Sequence, residues 1–334
     1  MSKPLSRLLI HPAPFLKSPV DTPSVMFDVL LAALGVTVVA IFSFGLSAAL
    51  VVAAAALGAV GTEYLFGRRD LHSLADWSGP LTGVLIGLTL PPGFPLWMAF
   101  LGGVVGMGLG KVAWGGLGQN LFNPALVGRA FLQAAFPTAI TTWTPNGQGL
   151  TALQSSNLAL PMMHGTVDGI TTATPLGLAK FEHHFTGTLD LFVGNTGGSL
   201  GETNAMLLLL LLGFLIWKRA LDWRIPVSII GTVAALSAVF WFMDPTLYPS
   251  PVFMVFSGGL LFGAIFMATD PVTSPMAPKG SYTFGFGIGL LVVLIRLFGG
   301  LPEGVMYAIL LMNAIVPHLN RAFQPVPFGR GRKS

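Results

Sequence analysis

Long apolar stretches recur along almost the whole chain, and they constrain its fold more than any other feature. Many approach the roughly 20 residues that an α-helix needs to cross a bilayer. Only 9% of the residues are charged, against about 25% in a typical soluble domain. Because a soluble surface needs far more charge, this argues strongly against a large soluble α/β enzyme. The sequence predicts an all-α, multi-pass membrane protein.

We predict about ten membrane-spanning segments from these stretches. Several are short or contain Gly and Pro, so we expect some of them to be tilted, broken or re-entrant. The N-terminal tail has no clean apolar core of a signal peptide, and the first span is expected to direct insertion. The predicted spans are roughly 26–45, 47–66, 78–91, 95–112, 121–136, 203–220, 225–243, 252–269, 284–298 and 302–318.

The basic residues predict the orientation of these spans. With the N-terminus in the cytoplasm, 14 of the 17 Lys and Arg residues lie on the cytoplasmic side, among them Lys111 after the fourth span. Arg129 and Arg296 fall inside spans, which leaves Lys180 alone outside. Because basic residues concentrate in cytoplasmic loops, we predict that both termini are cytoplasmic and that residues 137–202 lie on the outer face.

The two halves of the chain resemble each other. Residues 83–92 and 263–271 are apolar runs broken by Pro, and residues 123–131 resemble residues 313–323. Five spans in each half would make the halves inverted repeats, although chance similarity between Gly- and Pro-rich sequences is the alternative. The predicted divisions are 1–136 (tail and first repeat), 137–202 (outer loop) and 203–334 (second repeat and basic tail).

A Thr-rich segment in the predicted outer loop offers hydroxyl groups that can hold a cofactor through an ester. Residues 168–176 read Asp-Gly-Ile-Thr-Thr-Ala-Thr-Pro-Leu. The chain has no cysteine, so it cannot ligate an iron–sulfur cluster with thiolates or attach a c-type haem. Its six histidines show no pairing within the spans, and neither a metal site nor a catalytic residue is predicted. From spacing alone, an ordinary polar loop remains the favoured interpretation of the segment.

This segment resembles the flavinylation motif of membrane subunits of Rnf-type electron-transport complexes and of sodium-translocating NADH:quinone oxidoreductases. Residues 122–125, 197–203 and 266–272 also resemble the D subunit of Rnf complexes. The resemblance implies that a flavin transferase esterifies FMN to the last Thr of the motif, Thr174, which follows Asp168. Thr172 stands where Gly is usual, so the choice among Thr171, Thr172 and Thr174 stays open, and we predict Thr174.

The resemblance also implies a function. It implies a bacterial inner-membrane subunit of a complex that transfers electrons between ferredoxin and NAD, coupled to Na⁺ or H⁺ transport. It implies a second, non-covalent flavin (riboflavin or FMN) and a urea-transporter-like fold. The chain has no nucleotide-binding fingerprint, so we expect NAD and ferredoxin to dock on other subunits and the chain not to be catalytic alone. A solute channel or transporter of the same fold is the alternative, but it does not need the Thr motif.

Charged residues inside spans are costly and usually functional. Arg129 and Asn123 are expected to contact the second flavin, or Arg129 pairs with a carboxylate. Asp270 is a candidate for the ion pathway, or else an N-cap with Pro271 at the first helical position. Glu63 is a weaker candidate for the ion pathway, because it can simply lie at the membrane interface.

For two further carboxylates, the sequence predicts a role in capping a nearby helix. Ser199 and Glu202 have the spacing of a capping box at the start of the sixth span. Glu303 is expected to cap the last span.

Overall fold

The computed structural model describes residues 21–67, 75–147, 149–161 and 173–324. Within these ranges the chain is helical and contains no β-strand, which confirms the all-α class. Helices α1 to α14 are Thr22–Phe44, Leu46–Phe66, Ser78–Leu88, Leu96–Gly110, Pro124–Ala135, Pro137–Ile140, Pro175–Gly177, Thr188–Val193, Ala205–Trp217, Arg224–Met243, Pro251–Phe256, Leu260–Phe262, Pro278–Phe298 and Val305–Ala322. Between them lie the 3₁₀ turns Val112–Trp114 and Ser155–Leu158 and the π-helices Leu178–Glu182 and Gly263–Met267.

Five helical segments are long and apolar enough to cross a membrane, and they confirm a multi-pass membrane protein. They are Thr22–Phe44, Leu46–Phe66, Leu96–Trp114, Arg224–Met243 and Pro278–Phe298. Helices α3 and α9 are apolar but shorter. The other predicted spans also coincide with helices, but the count of ten spans remains a prediction.

Two predicted spans are interrupted, as their Gly and Pro content suggested. Helix α3 has 11 residues and therefore rises only about 16 Å, roughly half of the hydrocarbon thickness. The predicted span 252–269 is divided into α11, α12 and the π-helix Gly263–Met267. Gly258 lies at this break with a φ of 62°, a left-handed conformation that other residues rarely adopt. Both interruptions expose backbone groups that neighbouring segments must satisfy.

Helix α2 packs directly against the backbones of α3 and α4. A Cβ atom on Gly83 of α3 would lie 2.3 Å from the Ala56 Cα atom, and one on Gly103 of α4 would lie 2.2 Å from the Ala55 carbonyl oxygen. No side chain fits into such gaps. Small residues thus bring the three helices together, as is typical of helix association in lipid.

Contacts at the two ends of α1 show which segments lie on opposite sides of the molecule. Asp28, near its start, forms a 3.6 Å ion pair with Lys218, which follows α9. At its other end, Gly147 N donates to the Ser43 carbonyl oxygen at 3.0 Å. The loop after α6 and the start of α9 therefore lie on the side opposite to Lys218. This separation agrees with the predicted placement of residues 137–202, but which side is cytoplasmic remains a prediction.

The inverted repeat receives mixed support. In both halves, an apolar helix ends just ahead of a Pro-containing turn, α3 before Pro91 and the π-helix before Pro271. The second pair of similar segments is not equivalent, because Asn123 precedes α5 while Asn313 lies in the middle of α14. The repeat and its urea-transporter-like arrangement remain predictions.

Candidate functional site

Thr174 begins a short helical turn. Its side-chain oxygen accepts a hydrogen bond from Gly177 N at 3.1 Å, in the manner of an N-cap. Pro175 suits the first position of the turn, because its ring fixes φ near the helical value. The side chain of Thr174 is only partly buried, which leaves the hydroxyl accessible. The other predicted motif residues, Asp168, Thr171 and Thr172, lie outside the described residues.

Thr174 lines a cavity in the described part of the chain. The space between the cavity walls, including its open mouth, is about 950 Å³. Three charged side chains line this space, Arg129, Glu202 and Glu303. Arg129 pairs with Glu202, and Glu303 pairs with Arg296, which lies behind the wall. The remaining wall is largely apolar and aromatic, formed by Ile140, Trp143, Leu176, Leu191, Phe256, Pro302, Met306 and Tyr307 among others. The predicted attachment residue and the predicted intramembrane arginine therefore share one cavity.

Arg129 pairs with Glu202 at 3.0 Å, and both side chains are largely buried. Of the two interpretations of Arg129, pairing with a carboxylate is confirmed. The capping-box interpretation of Ser199 and Glu202 is wrong, because the helix begins later. Asn204 caps α9 instead, accepting from Leu207 N at 2.9 Å, which frees the Glu202 carboxylate for Arg129.

Arg296 and Glu303 form the second ion pair of this cavity. The Arg296 side chain is 1% exposed, and it donates to the carbonyl oxygens of Met254 at 2.6 Å and Ser257 at 3.0 Å. These two carbonyl groups belong to the end of α11, so Arg296 satisfies backbone that the break in this helix exposes.

Gly304 is the N-cap of the last helix, but the side chain of the preceding Glu303 accepts from the first N–H groups of that helix and also contacts the break after α11. One of its oxygens accepts from Gly304 N and Val305 N, and the other accepts from Gly259 N at 3.0 Å. The Arg296 guanidinium faces the same carboxylate. A nearby cation and several N–H donors all stabilise the charged form of a carboxyl group. A charged Glu303 therefore joins the break after α11 to the start of α14.

Asn123 does not belong to this cavity. It caps α5, accepting from Ala125 N at 2.9 Å, and it donates to the Met267 carbonyl oxygen at 3.0 Å. Asn123 caps the helix that carries Arg129, but it lines a second cavity, whereas Arg129 lines the cavity beside Thr174. The expectation that both residues contact a second flavin stays a prediction.

Asp270 lines this second cavity with Asn123 and Lys111. Its carboxylate accepts from Val272 N at 3.2 Å and from the Thr273 hydroxyl at 3.0 Å. Asp270 therefore makes the contacts of a cap, as predicted. It caps a turn and not a helix, because α13 begins only at Pro278. Asp270 is thus a turn cap with access to a cavity.

Glu63 is buried inside the protein, because its side chain is only 4% exposed. Lys111, which the charge pattern placed in the cytoplasmic flank, is also buried. The Lys111 ammonium donates to Glu63 Oε1, to the Ser78 hydroxyl and, at 3.0 Å, to Asp76 Oδ2. Glu63 Oε2 is buried and has no hydrogen-bond partner among the described residues. One lysine therefore faces two carboxylates.

No group of three or more His, Asp or Glu side chains suited to a metal ion occurs in the described ranges. The site thus consists of a cavity with balanced ion pairs next to Thr174, and of a second cavity beside a cluster with excess negative charge.

Comparison with known proteins identifies the family. Residues 9–329 match the model of the NQR2, RnfD, RnfE family. The chain belongs to this family. The D subunit of the proton-translocating ferredoxin:NAD(+) oxidoreductase complex of Clostridium ljungdahlii is 40% identical, with 97% of this chain and 96% of the relative covered. The D subunit of the Na(+)-translocating ferredoxin:NAD(+) oxidoreductase complex of Acetobacterium woodii is 37% identical, with 94% and 93% covered.

A third member, the D subunit of the ion-translocating oxidoreductase complex of Stutzerimonas stutzeri, is 40% identical, with 95% of this chain and 94% of the relative covered. The family membership confirms the resemblance that the short motifs suggested. All three relatives are named as subunits of redox complexes that translocate ions, and none of the three names mentions a flavin.

Proposed function

We propose that this chain is the membrane subunit of an ion-translocating ferredoxin:NAD⁺ oxidoreductase complex and that it carries FMN esterified to Thr174. The observation that carries the proposal is that Thr174 lines the same cavity as Arg129. A hydroxyl for the ester and a cation for the phosphate are then available in one place. The names of the relatives support the complex, and the Thr174 cavity supports the cofactor.

The residues around Thr174 fit a flavin phosphate. Thr174 and Arg129 both line the cavity, and most of its remaining wall is apolar, as is usual in ligand pockets. Trp143, Phe256 and Tyr307 offer aromatic surface to a ring system. Arg129 supplies a guanidinium group that suits a phosphate diester, because it presents several donors in a fixed plane.

When bound there, a flavin would accept electrons and pass them on. The protein would hold it through Thr174 and keep a positive charge close by. Glu202 fixes the position of the Arg129 guanidinium before a phosphate arrives. The second ion pair, Arg296–Glu303, holds the cavity wall together from three helices.

The second cavity is the proposed place of the non-covalent flavin. It is smaller, about 580 Å³, and combines apolar residues with the polar side chains of Asn120, Asn123, Thr82 and Thr269. Of the two residues predicted to contact this flavin, Asn123 therefore keeps that role, and Arg129 serves the first cavity. Electrons would pass between the two sides of the membrane through these two sites.

Asp270 and Glu63 are the proposed residues of an ion pathway through this chain. Both lie near the second cavity, Asp270 in its wall and Glu63 paired with Lys111 from that wall. The name of one relative couples the complex to protons and that of another to Na⁺, at 40% and 37% identity. The choice of ion is therefore not part of the proposal.

We also propose in which membrane the chain lies and how it is oriented. The chain would lie in the bacterial inner membrane with cytoplasmic termini and with Thr174 on the outer face. NAD and ferredoxin would bind other subunits of the complex, and a flavin transferase would attach the FMN. The alternative of a solute channel or transporter draws no support from the relatives, which are named as oxidoreductase subunits.

Flavin fluorescence in a denaturing gel tests the attachment. The purified chain should give a fluorescent band, which Thr174→Val should abolish and the control Thr172→Val should retain. A dark wild-type band from cells that contain the transferase would contradict the covalent flavin. A band that survives Thr174→Val but not Thr172→Val would move the attachment to the neighbouring residue.

A further inference from the structure

Lys180 lies six residues after Thr174, at the centre of the π-helix Leu178–Glu182. The charge pattern predicted only that it is the one basic residue on the outer side. Its ammonium group has no carboxylate partner among the described ion pairs. Instead, it donates to the carbonyl oxygens of Arg296 at 3.0 Å and Leu301 at 2.9 Å, and it also reaches those of Gly299 and Ile295.

These carbonyl groups belong to the C-terminal end of α13 and to the turn that follows it. The last four carbonyl groups of a helix have no partner within the helix, and the helix dipole places partial negative charge there. A lysine near the end of its own helix often satisfies such groups. Here the cation comes from a segment 115 to 121 residues away in the sequence. The contact therefore joins two distant parts of the chain.

The apolar anchoring of the same segment is small. Leu176 is 7% exposed and forms a cluster with Leu191 and Phe253 that is separate from the main core. It also fills the space beside Gly258, where a Cβ atom would lie 2.4 Å from Leu176 Cδ1. Within the segment 174–182, only Pro175 and Leu176 are buried, so the hydrogen bonds of Lys180 add to a small apolar attachment.

We propose that Lys180 is a positioning residue that holds the segment 174–182 against the end of α13, so that the Thr174 hydroxyl stays at the cavity. The flavin part of this inference rests on the proposed function, but the docking of the segment does not. Without the ammonium group, the carbonyl oxygens of Arg296 and Leu301 lose their donor, and the segment separates from α13 more often. Thr174 is then presented in many orientations instead of one.

Hydrogen exchange of the purified complex in lipid nanodiscs tests the docking. In Lys180→Met, amides of residues 176–184 should exchange at least about tenfold faster, because hydrogen bonds to a charged donor are lost. Lys180→Arg, which keeps the charge, should restore most of the protection. Lys218→Met is the matched control, because this lysine lies on the opposite side in an exposed ion pair, and exchange of 176–184 should stay unchanged.

Wild-type exchange in Lys180→Met would overturn the proposal. So would equal losses in Lys180→Met and Lys180→Arg, because the contact between cation and carbonyl groups would then not hold the segment. Protection of α13 and α10 in each variant shows whether the membrane core is folded. If Lys180→Met also loses the protection of the core, Lys180→Arg is the deciding variant. Restored protection of residues 176–184 in Lys180→Arg would support the proposal, and lost protection would overturn it.

The flavin provides a second readout. In Lys180→Met, the covalent flavin should be attached at a lower yield, and its fluorescence anisotropy should fall because the segment moves more freely. A wild-type chain without covalent flavin would contradict the proposed function but leave the exchange experiment valid. Normal flavin yield and anisotropy in a Lys180→Met chain with faster exchange would overturn the positioning of Thr174.

Discussion

The two groups of buried charges differ in their balance. Beside Thr174, two arginines face two glutamates, and the Arg129–Glu202 and Arg296–Glu303 pairs match each other in charge. Near the second cavity, Lys111 alone faces Glu63 and Asp76, and Glu63 Oε2 lacks a hydrogen-bond partner among the described residues. The first arrangement fixes the shape of a cavity, whereas the second holds an excess negative charge that a proton or a cation can neutralise.

The largest effect on stability is expected when the most buried charge of the balanced group is removed. Arg296→Met removes a guanidinium that is 1% exposed and leaves the partly buried Glu303 without its cation. It also leaves the carbonyl oxygens of Met254 and Ser257 without their donor. We expect a loss of about 3–5 kcal/mol in unfolding free energy, measured by thermal unfolding of the purified protein.

Arg224→Met is the matched control, because its ion pair with Asp222 is 35% and 32% exposed and should contribute about 0–1 kcal/mol. Equal destabilisation by Arg296→Met and Arg224→Met would show that the first group does not hold its cavity together.

The second prediction concerns the group with excess negative charge. Lys111→Met leaves Glu63 and Asp76 without their shared cation, and we expect it to cost about 2–4 kcal/mol. Adding Glu63→Gln to this variant should recover much of the loss, since one of the two unpaired charges disappears. In the balanced group, such a recovery is expected only when both members of one ion pair are replaced. If Glu63→Gln adds further destabilisation instead, the two carboxylates do not compete for Lys111.

The smallest effect on stability is expected at Asp270. Asp270→Asn weakens a turn cap, which should cost about 1 kcal/mol, but it should impair ion transport by the reconstituted complex while flavin attachment stays normal. Asp244→Asn is the control, because Asp244 also caps a turn, accepting from Thr246 N at 2.9 Å, and lines neither of the two cavities. Ion transport that is the same in both variants and in wild type would reduce Asp270 to a turn cap.

The sequence predicted which residues are costly in a membrane, but not their partners. Arg129, Asp270 and Glu63 were recognisable because charges rarely occur in apolar stretches. Arg129 and Glu202 are 73 residues apart, and Lys111 and Glu63 are 48 residues apart. No local pattern encodes such contacts, because they depend on how the helices pack.

A local sequence pattern gave a wrong prediction where two sites could supply the same helix cap. The spacing of Ser199 and Glu202 suggested a capping box, although Asn204, a good N-cap residue, stands two positions later and caps α9. Asn123 and Arg129 are six residues apart, about 9 Å along a helix, and this distance lets them line different cavities. Lys111 directly follows an apolar stretch, and no local pattern indicates that it is buried against Glu63 and Asp76.

The family is the prediction from the motifs that is confirmed. Short segments spread over both halves indicated the family, which the match over residues 9–329 confirms. Thr174 belongs to the Thr-rich motif and Arg129 to a predicted span, and the structure brings them to one cavity. Lys180 carried no recognisable signal, because its contacts are to backbone carbonyl groups that belong to a distant helix.

Mass spectrometry of a peptide that contains residues 168–180 tests the central claim most directly. The peptide from the wild-type chain, purified from cells that contain the transferase, should be heavier by FMN less one water. Fragmentation should place this mass on Thr174. An unmodified peptide, or the added mass on Thr171 or Thr172, would contradict the assignment of Thr174 as the residue that carries the flavin.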